Sequence, residues 1–96
     1  TGNTIQNSWN GIRILAGRHN AVVANVILDC EVGINIESHD IYYSTHNVII
    51  GNRISGGDYG IKECSQNDDY NLIVNNLVDG AKVENIHISG IHTITS

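Results

Sequence analysis

Branched apolar residues alternate with other residues inside short segments of this chain, and the segments themselves recur. In the clearest copy, Asn47 and Asn52 lie five residues apart, each is followed two residues later by isoleucine, and a Gly-Ile pair comes eight residues after Asn52. A second copy starts at Asn20, and partial copies start at Asn3 and Asn71. A period of two with β-branched side chains predicts short β-strands.

The second asparagines of the copies lie 22, 27 and 24 residues apart, and such spacings are typical of stacked repeats. We predict an all-β fold, a right-handed single-stranded parallel β-helix of about four coils, in which like positions stack about 4.8 Å apart. The predicted inward columns are Ile5, Ile27, Ile54 and Val78; Val22, Ile49 and Ile73; and Ile12, Ile34 and Ile61. The asparagines suit corners, because they tolerate left-handed backbone and their amides can bond to the next coil.

The repeated unit N-x-I-x-x-N-x-I…G-I, from Asn3 to about Val78, resembles the parallel β-helix repeats of the pectin-lyase-like superfamily. The resemblance implies the fold but leaves function open, since the superfamily includes polysaccharide lyases, hydrolases, epimerases, phage tailspikes and surface proteins. We interpret residues 1–96 as a single segment of a longer solenoid. Residues 79–96 are expected to form an irregular last coil, because Glu84 stands where the repeat has glycine.

The charge of the chain limits its partners. Ten acids against five Lys and Arg give a formal charge of −5, which disfavours nucleic acid and anionic membranes. No apolar run approaches the roughly 20 residues of a membrane helix. Cys30 and Cys64 occupy different phases of the repeat, so we expect two buried thiols and no disulfide.

Strict alternation would place the repeat glycines on the outer face of their strands, together with the residues two before and two after each glycine. That face would carry Trp9, Glu31 and Asp58 on one side and Arg13, Asn35 and Lys62 on the other. A glycine floor with an aromatic and paired polar groups suits a polysaccharide, and the basic residues would suit a uronic acid carboxylate. The alternative is a ladder of opposite charges without a ligand.

Two inserts, residues 38–46 and 65–70, leave the same corner of the coil and should lie side by side. Their tyrosines, Tyr42, Tyr43 and Tyr70, extend the candidate carbohydrate site. No cofactor is expected, and the one metal candidate is calcium at Asp68 and Asp69, although their spacing matches no standard signature. Glu63 stands where other coils have an inward isoleucine, and we expect its side chain to reach water.

A second outer face is apolar on three consecutive coils. The residues beside the column of Val22, Ile49 and Ile73 are Ala21, Val23, Val48, Ile50, Leu72 and Val74. A solvated strand would carry Ser, Thr or charge there, so this strip predicts an interface, either for self-association or for the rest of a parent chain.

The leading functional hypothesis is a non-catalytic β-helix module of an extracellular, surface or phage-tail protein that binds carbohydrate or acts as a rigid assembly segment. The runner-up is a fragment of a polysaccharide lyase, hydrolase or epimerase, and a third class is purely structural. The sequence contains no Gly-x-Ser-x-Gly, Cys-x-x-Cys or phosphate-loop motif.

Overall fold

The computed structural model describes all 96 residues and contains twelve short strands. These are β1 (Thr4–Gln6), β2 (Asn10–Leu15), β3 (Ala21–Val23), β4 (Val26–Leu28), β5 (Val32–Glu37), β6 (Val48–Ile50), β7 (Arg53–Ser55), β8 (Tyr59–Glu63), β9 (Leu72–Val74), β10 (Leu77–Asp79), β11 (Glu84–His87) and β12 (Ile94–Thr95). No helix long and apolar enough to cross a bilayer is present.

The strands form three parallel sheets of four strands each, and every coil contributes one strand to each sheet. We name them sheet A (β1, β4, β7, β10), sheet B (β2, β5, β8, β11) and sheet C (β3, β6, β9, β12). This arrangement is a parallel β-helix of about four coils, so the predicted fold is confirmed.

The three predicted inward columns are confirmed by the register of the sheets. Ile27 pairs with Ile54 in sheet A, and Ile34 pairs with Ile61 in sheet B. In sheet C, Ile49 pairs in the same way with Ile73 of the next coil. All of these side chains are buried, and isoleucine dominates the core. Stacking similar β-branched residues at each level fills the narrow interior.

Two ladders of asparagine amides run along the helix axis. At each rung the backbone N–H and the side-chain amide of one asparagine donate to the Oδ1 of the next, as Asn25 does to Asn52 at 2.9 and 3.0 Å. The ladders are Asn3, Asn25, Asn52 and Asn76, and Asn20, Asn47 and Asn71. The left-handed residue of each corner is the one before the asparagine, such as Ala24 (φ 55) or Gly51 (φ 69), so the asparagines serve the axial bonds rather than the turn.

The prediction that the repeat glycines face outward is wrong. A Cβ on Gly33 would lie 2.6 Å from Cγ2 of the core residue Ile54 and 2.5 Å from the carbonyl oxygen of Gly60. Gly33 and Ile34 therefore both face the interior, and the alternation is interrupted between them. Glycine is needed there because the stacked coils leave no room for a side chain.

Residues 79–96 complete the fourth coil. Strand β11 pairs with β8, and β12 pairs with β9, so sheets B and C both continue into this segment. Thr93 takes the place of an asparagine at the end of the second ladder, where its hydroxyl accepts the backbone N–H of Asn71 at 3.3 Å. The segment therefore follows the same three-sided path as the earlier coils.

The expectation that Glu63 reaches water is also wrong, because its side chain is fully buried. Its Oε1 accepts the backbone N–H groups of Ser89 (3.1 Å) and Gly90 (2.9 Å). Its Oε2 accepts the Asn71 amide at 2.9 Å and the Thr93 hydroxyl. A buried carboxylate is tolerated when its oxygens are saturated by donors, and here most of these donors come from the last coil.

Candidate functional site

The outer face of sheet B carries two polar columns that run parallel to the helix axis. Because the glycines face inward, the residues directly before them face outward. Strand register then aligns Asn10, Val32, Tyr59 and Glu84 in one column and Arg13, Asn35, Lys62 and His87 in the other. Tyr59 is therefore at the centre of the face, where strict alternation predicted only glycine.

A hydrogen-bonded network connects the first two coils of this face. The Arg13 guanidinium donates to Glu37 Oε2 at 2.9 Å, and the Asn35 amide donates both to Glu37 and to Asn10 Oδ1, the latter at 3.1 Å. The hydrogen bond to Glu37, followed by the charge of that carboxylate, raises the pKa of Arg13 above its ordinary value. Arg13 is thus a fixed cation that already has an acidic partner.

Lys62 and Tyr59 form the centre of the next two coils. The Lys62 ammonium lies 4.4 Å from the centroid of the Tyr59 ring, a cation–π contact. The same ring meets His87 edge to face, with centroids 5.7 Å apart. Both predicted bases of the candidate groove therefore lie on one face, and each has a partner within the chain.

Trp9, Glu31 and Asp58 lie at the turn that enters sheet B. The backbone carbonyl oxygens of Trp9 and Glu31 accept the N–H groups of Val32 (2.9 Å) and Tyr59 (3.0 Å). The three predicted residues are therefore stacked one per coil, beside the columns of the sheet. Trp9 is 66% exposed, the highest value among the tryptophan and tyrosine residues of the protein.

Cys64 ends the outward row of sheet B and is exposed, which contradicts the expectation of a buried thiol. Its Sγ donates to Asn35 Oδ1 at 2.9 Å. The residue is exposed as a whole, but partial desolvation of its sulfur, followed by the nearby negative charge of Glu37, raises the pKa of the Cys64 thiol. A raised pKa favours the protonated thiol, which is the less reactive form. Cys30 is also free but is buried in the core, as predicted.

The two inserts are in contact, as predicted, and Asp68 joins them. The buried Asp68 carboxylate accepts the Ser38 hydroxyl at 3.0 and 3.1 Å and the Ser44 N–H at 2.9 Å. Tyr42 is exposed on a tight turn closed by paired backbone hydrogen bonds with His39, whereas Tyr43 is half-buried. Tyr42 and Tyr43 follow the end of β5 and therefore lie away from Trp9, which precedes sheet B.

Asp69 holds the last coil beside Asp68. It accepts the N–H of His92 at 2.7 Å and pairs with the His92 ring at 2.6 Å. Burial by itself would raise the pKa of Asp69, but hydrogen bonds from the His92 ring and from the backbone of Tyr70 and His92 outweigh it and hold the pKa below its usual value. The carboxylates of both calcium candidates, Asp68 and Asp69, are therefore already hydrogen-bonded to donors within the chain.

A column of aromatic rings lies at the corner between sheets B and C. The rings are His19, His46, Tyr70 and His92, with neighbouring centroids 5.5, 5.4 and 4.4 Å apart. Sequence reasoning missed this ladder, although His19, His46 and Tyr70 each directly precede an asparagine of the second amide ladder. Tyr70 belongs to this ladder and not to the face of sheet B.

The outer face of sheet C unites the six predicted strip residues. Register aligns Ala21, Val48 and Leu72 in one column and Val23, Ile50 and Val74 in a second. Ile94 of β12 extends the first column and is 62% exposed. The strip therefore spans all four coils.

A family model described as "Periplasmic copper-binding protein (NosD)" matches residues 1–91, nearly the whole chain. The chain belongs to the NosD family. Neither a curated protein nor a solved structure matches it significantly. The periplasmic description of the NosD family is consistent, at a coarse level, with the expected extracellular or surface location.

The residues of this NosD-family chain do not fit a copper centre. Copper binding requires imidazole, thiolate or thioether groups whose lone pairs converge on one point. The chain has no methionine, and no three of its His, Cys, Asp and Glu side chains are placed to hold one ion. In the aromatic ladder, the rings of His19 and His46 are stacked within 28° of parallel, so their in-plane lone pairs run side by side.

Proposed function

We propose that this NosD-family module binds carbohydrate along the outer face of sheet B and does so without catalysing a reaction. It acts as a rigid part of a protein located outside the cytoplasm. The observation that carries the proposal is the exposed Trp9 ring at the edge of the stacked polar columns. Tryptophan offers a sugar face a large flat surface, and it is rarely left this exposed without a partner.

The repeat distance of the β-helix supports a chain-like ligand. Successive coils are about 4.8 Å apart, close to the length of one pyranose unit along a polysaccharide. A glycan that runs along the helix axis would meet hydrogen-bonding groups at each step. Asn10 and Glu37 provide these groups on the first two coils, and Lys62 and Glu84 provide them on the next two.

The charges of the face favour a neutral glycan over a polyuronide. Arg13 is paired with Glu37, which leaves Lys62, over the Tyr59 ring, as the one base of the face without an acidic partner. The acids Glu31 and Asp58 add negative charge at the edge where Trp9 lies. A polyanion would therefore be repelled, whereas sugar hydroxyls can bond to amides and carboxylates alike.

Binding is favoured over turnover because Glu37 and Glu63 already have structural partners. Hydrolases and lyases need an acid or base whose proton can reach the substrate. Glu37 is bonded to Arg13 and Asn35, and Glu63 is enclosed in the interior by donors of the last coil.

Trp9 also provides the test, because it is the single tryptophan of the chain. Titration with neutral oligosaccharides selected on a glycan array should shift its fluorescence to shorter wavelength, and polyuronides should not. Trp9→Ala should weaken binding, followed by calorimetry, by about 5- to 30-fold, the equivalent of about 1–2 kcal/mol. Tyr42→Ala is the matched control, since it removes a similarly exposed ring from the insert.

The absence of any neutral glycan that shifts the Trp9 emission would contradict the proposal. Equal loss of binding in Trp9→Ala and Tyr42→Ala would place the ligand elsewhere. Release of reducing sugar or of an unsaturated product during the titration would contradict the non-catalytic part and favour the polysaccharide-degrading enzymes.

A further inference from the structure

The outer side of sheet C is the one side of the coil without a formally charged residue. Residues 19–26, 46–52, 70–76 and 92–96 form this side and its two corners on the four coils. None of the ten acids and five Lys and Arg residues of the chain lies within them. In a protein with a formal charge of −5, such a segregation leaves a neutral surface about 20 Å across.

The same surface is ribbed by apolar side chains. Val22, Ile49 and Ile73 face the interior of the coil, so the residues on either side of each face outward. They form two parallel columns at coil spacing, in which Leu72 and Ile94 are exposed. Flat parallel strands with apolar columns of this kind pack well against a second sheet, with the ribs of one sheet in the grooves of the other.

We propose that the outer side of sheet C is the interface of a homodimer. Two copies that each carry a charge of −5 repel one another through their net charge. On this side they can meet without burying or opposing any charge. A two-fold axis through the face brings each column of one copy against the columns of the other, which is the self-complementary contact expected of a dimer.

The size of the face indicates how strong the dimer is. The protein measures 30 × 20 × 20 Å, so the face covers about 400 Å² per copy and a dimer buries about 800 Å² in total. Stable interfaces bury about 1,200–2,000 Å². The dimer is therefore reversible, with a dissociation constant in the micromolar range or weaker.

The main alternative to the sheet C dimer is an end-to-end contact between coils. The two can be distinguished by the charge at the contact. Residues 1–28 carry two arginines and no acid, whereas residues 69–96 carry three acids against Lys82. A first coil docked on a last coil would therefore join opposite charges and would weaken as salt screens them. The sheet C dimer has no charge at its contact, and salt instead reduces the repulsion between the two acidic bodies.

Analytical ultracentrifugation over a wide range of concentration tests the proposal. The wild type should pass from monomer to dimer, and added salt should strengthen the dimer. Ile50→Lys, in the middle of the face, should weaken it at least about tenfold, because two cations would then be buried across the axis. Ser55→Lys is the matched control: it adds the same charge at the same outward position of the next strand along the chain, but on sheet A.

Ile50→Thr provides a second variant that keeps a β-branched side chain, and it should weaken the dimer about threefold or more while circular dichroism stays that of the wild type. A wild type that remains monomeric at every concentration would overturn the proposal. So would a dimer that salt dissociates, or one that Ser55→Lys weakens as much as Ile50→Lys. Carbohydrate binding is measured separately, because it belongs to the face of sheet B.

Discussion

The outer faces of sheets B and C are built on the same coil but have opposite characters. On sheet B, Arg13, Asn35 and Glu37 are hydrogen-bonded across two coils, and Lys62 lies over the Tyr59 ring of its own coil. On sheet C, the corresponding positions hold only aliphatic side chains such as Ile50. The interior columns are nearly identical at every level, so the difference lies wholly in the outward positions. In this fold the interior determines stability, and each outer face is free to acquire its own partner.

The largest expected effect is on sheet B, where the face depends on an inward glycine. Gly33→Ala would place a methyl group 2.5 Å from the Gly60 carbonyl oxygen and 2.6 Å from Ile54 Cγ2. Because the obstacle on one side is backbone, we expect the free energy of unfolding to fall by about 3 kcal/mol, measured by urea denaturation.

Gly51→Ala is the control for that change. Gly51 has a φ of 69°, but a Cβ there would meet no atom within 4 Å. Its cost should be about 1 kcal/mol, the cost of a left-handed backbone alone. Similar losses in the two variants would mean that Gly33 does not face a crowded interior.

A smaller effect is expected at the buried Glu63, which holds the last coil and with it the last strands of sheets B and C. Glu63→Gln replaces an acceptor oxygen by an amide group that cannot accept hydrogen bonds, so one pair of donors loses its partner. We expect a loss of about 2 kcal/mol, and faster hydrogen exchange at the Ser89 and Gly90 amides. Glu63 binds residues that lie between β11 and β12, so the last strands of sheets B and C should loosen together. An unchanged exchange rate would show that the last coil is held by other contacts.

The smallest effect concerns the acid side of the pH profile. The folded-state pKa of Asp69 is below its usual value, so its ionised form favours folding. That contribution is present above the unfolded pKa and is lost as the pH falls below about 4. Asp69→Asn should therefore be less stable than the wild type at neutral pH, and the difference should shrink on acidification. Asp40→Asn, at an exposed position of the other insert, is the control, and a constant difference between wild type and Asp69→Asn would contradict the assignment.

Sequence reasoning predicted the coil correctly, because the coil follows from local rules that repeat. Alternating β-branched residues and paired asparagines specify the columns and both ladders wherever they occur. The errors fall where the decisive contact comes from another coil. Gly33 carries no side chain whose direction could be inferred, and the obstacle that keeps it inward belongs to Gly60 and Ile54.

Glu63 is misjudged for the same reason as the glycines. Its partners Ser89, Gly90 and Thr93 lie 26 to 30 residues later, in the unit that departs most from the repeat. The outward columns of sheet B were only partly predicted: Arg13 and Lys62 were placed on the face, but Tyr59 was not. Tyr59 was omitted because the alternation of inward and outward residues is interrupted once, at the glycine of each coil.

The asparagine ladders make the coil an interchangeable unit. Every rung joins the same two donors to the same acceptor in the same direction, so any coil that begins with these asparagines can follow any other. Rungs separated by 22, 24 and 27 residues have equal geometry, because the additional residues leave the coil at its corners. A whole coil can therefore be duplicated or deleted by recombination without leaving an amide unpaired, and the protein can change its length in evolution one rung at a time.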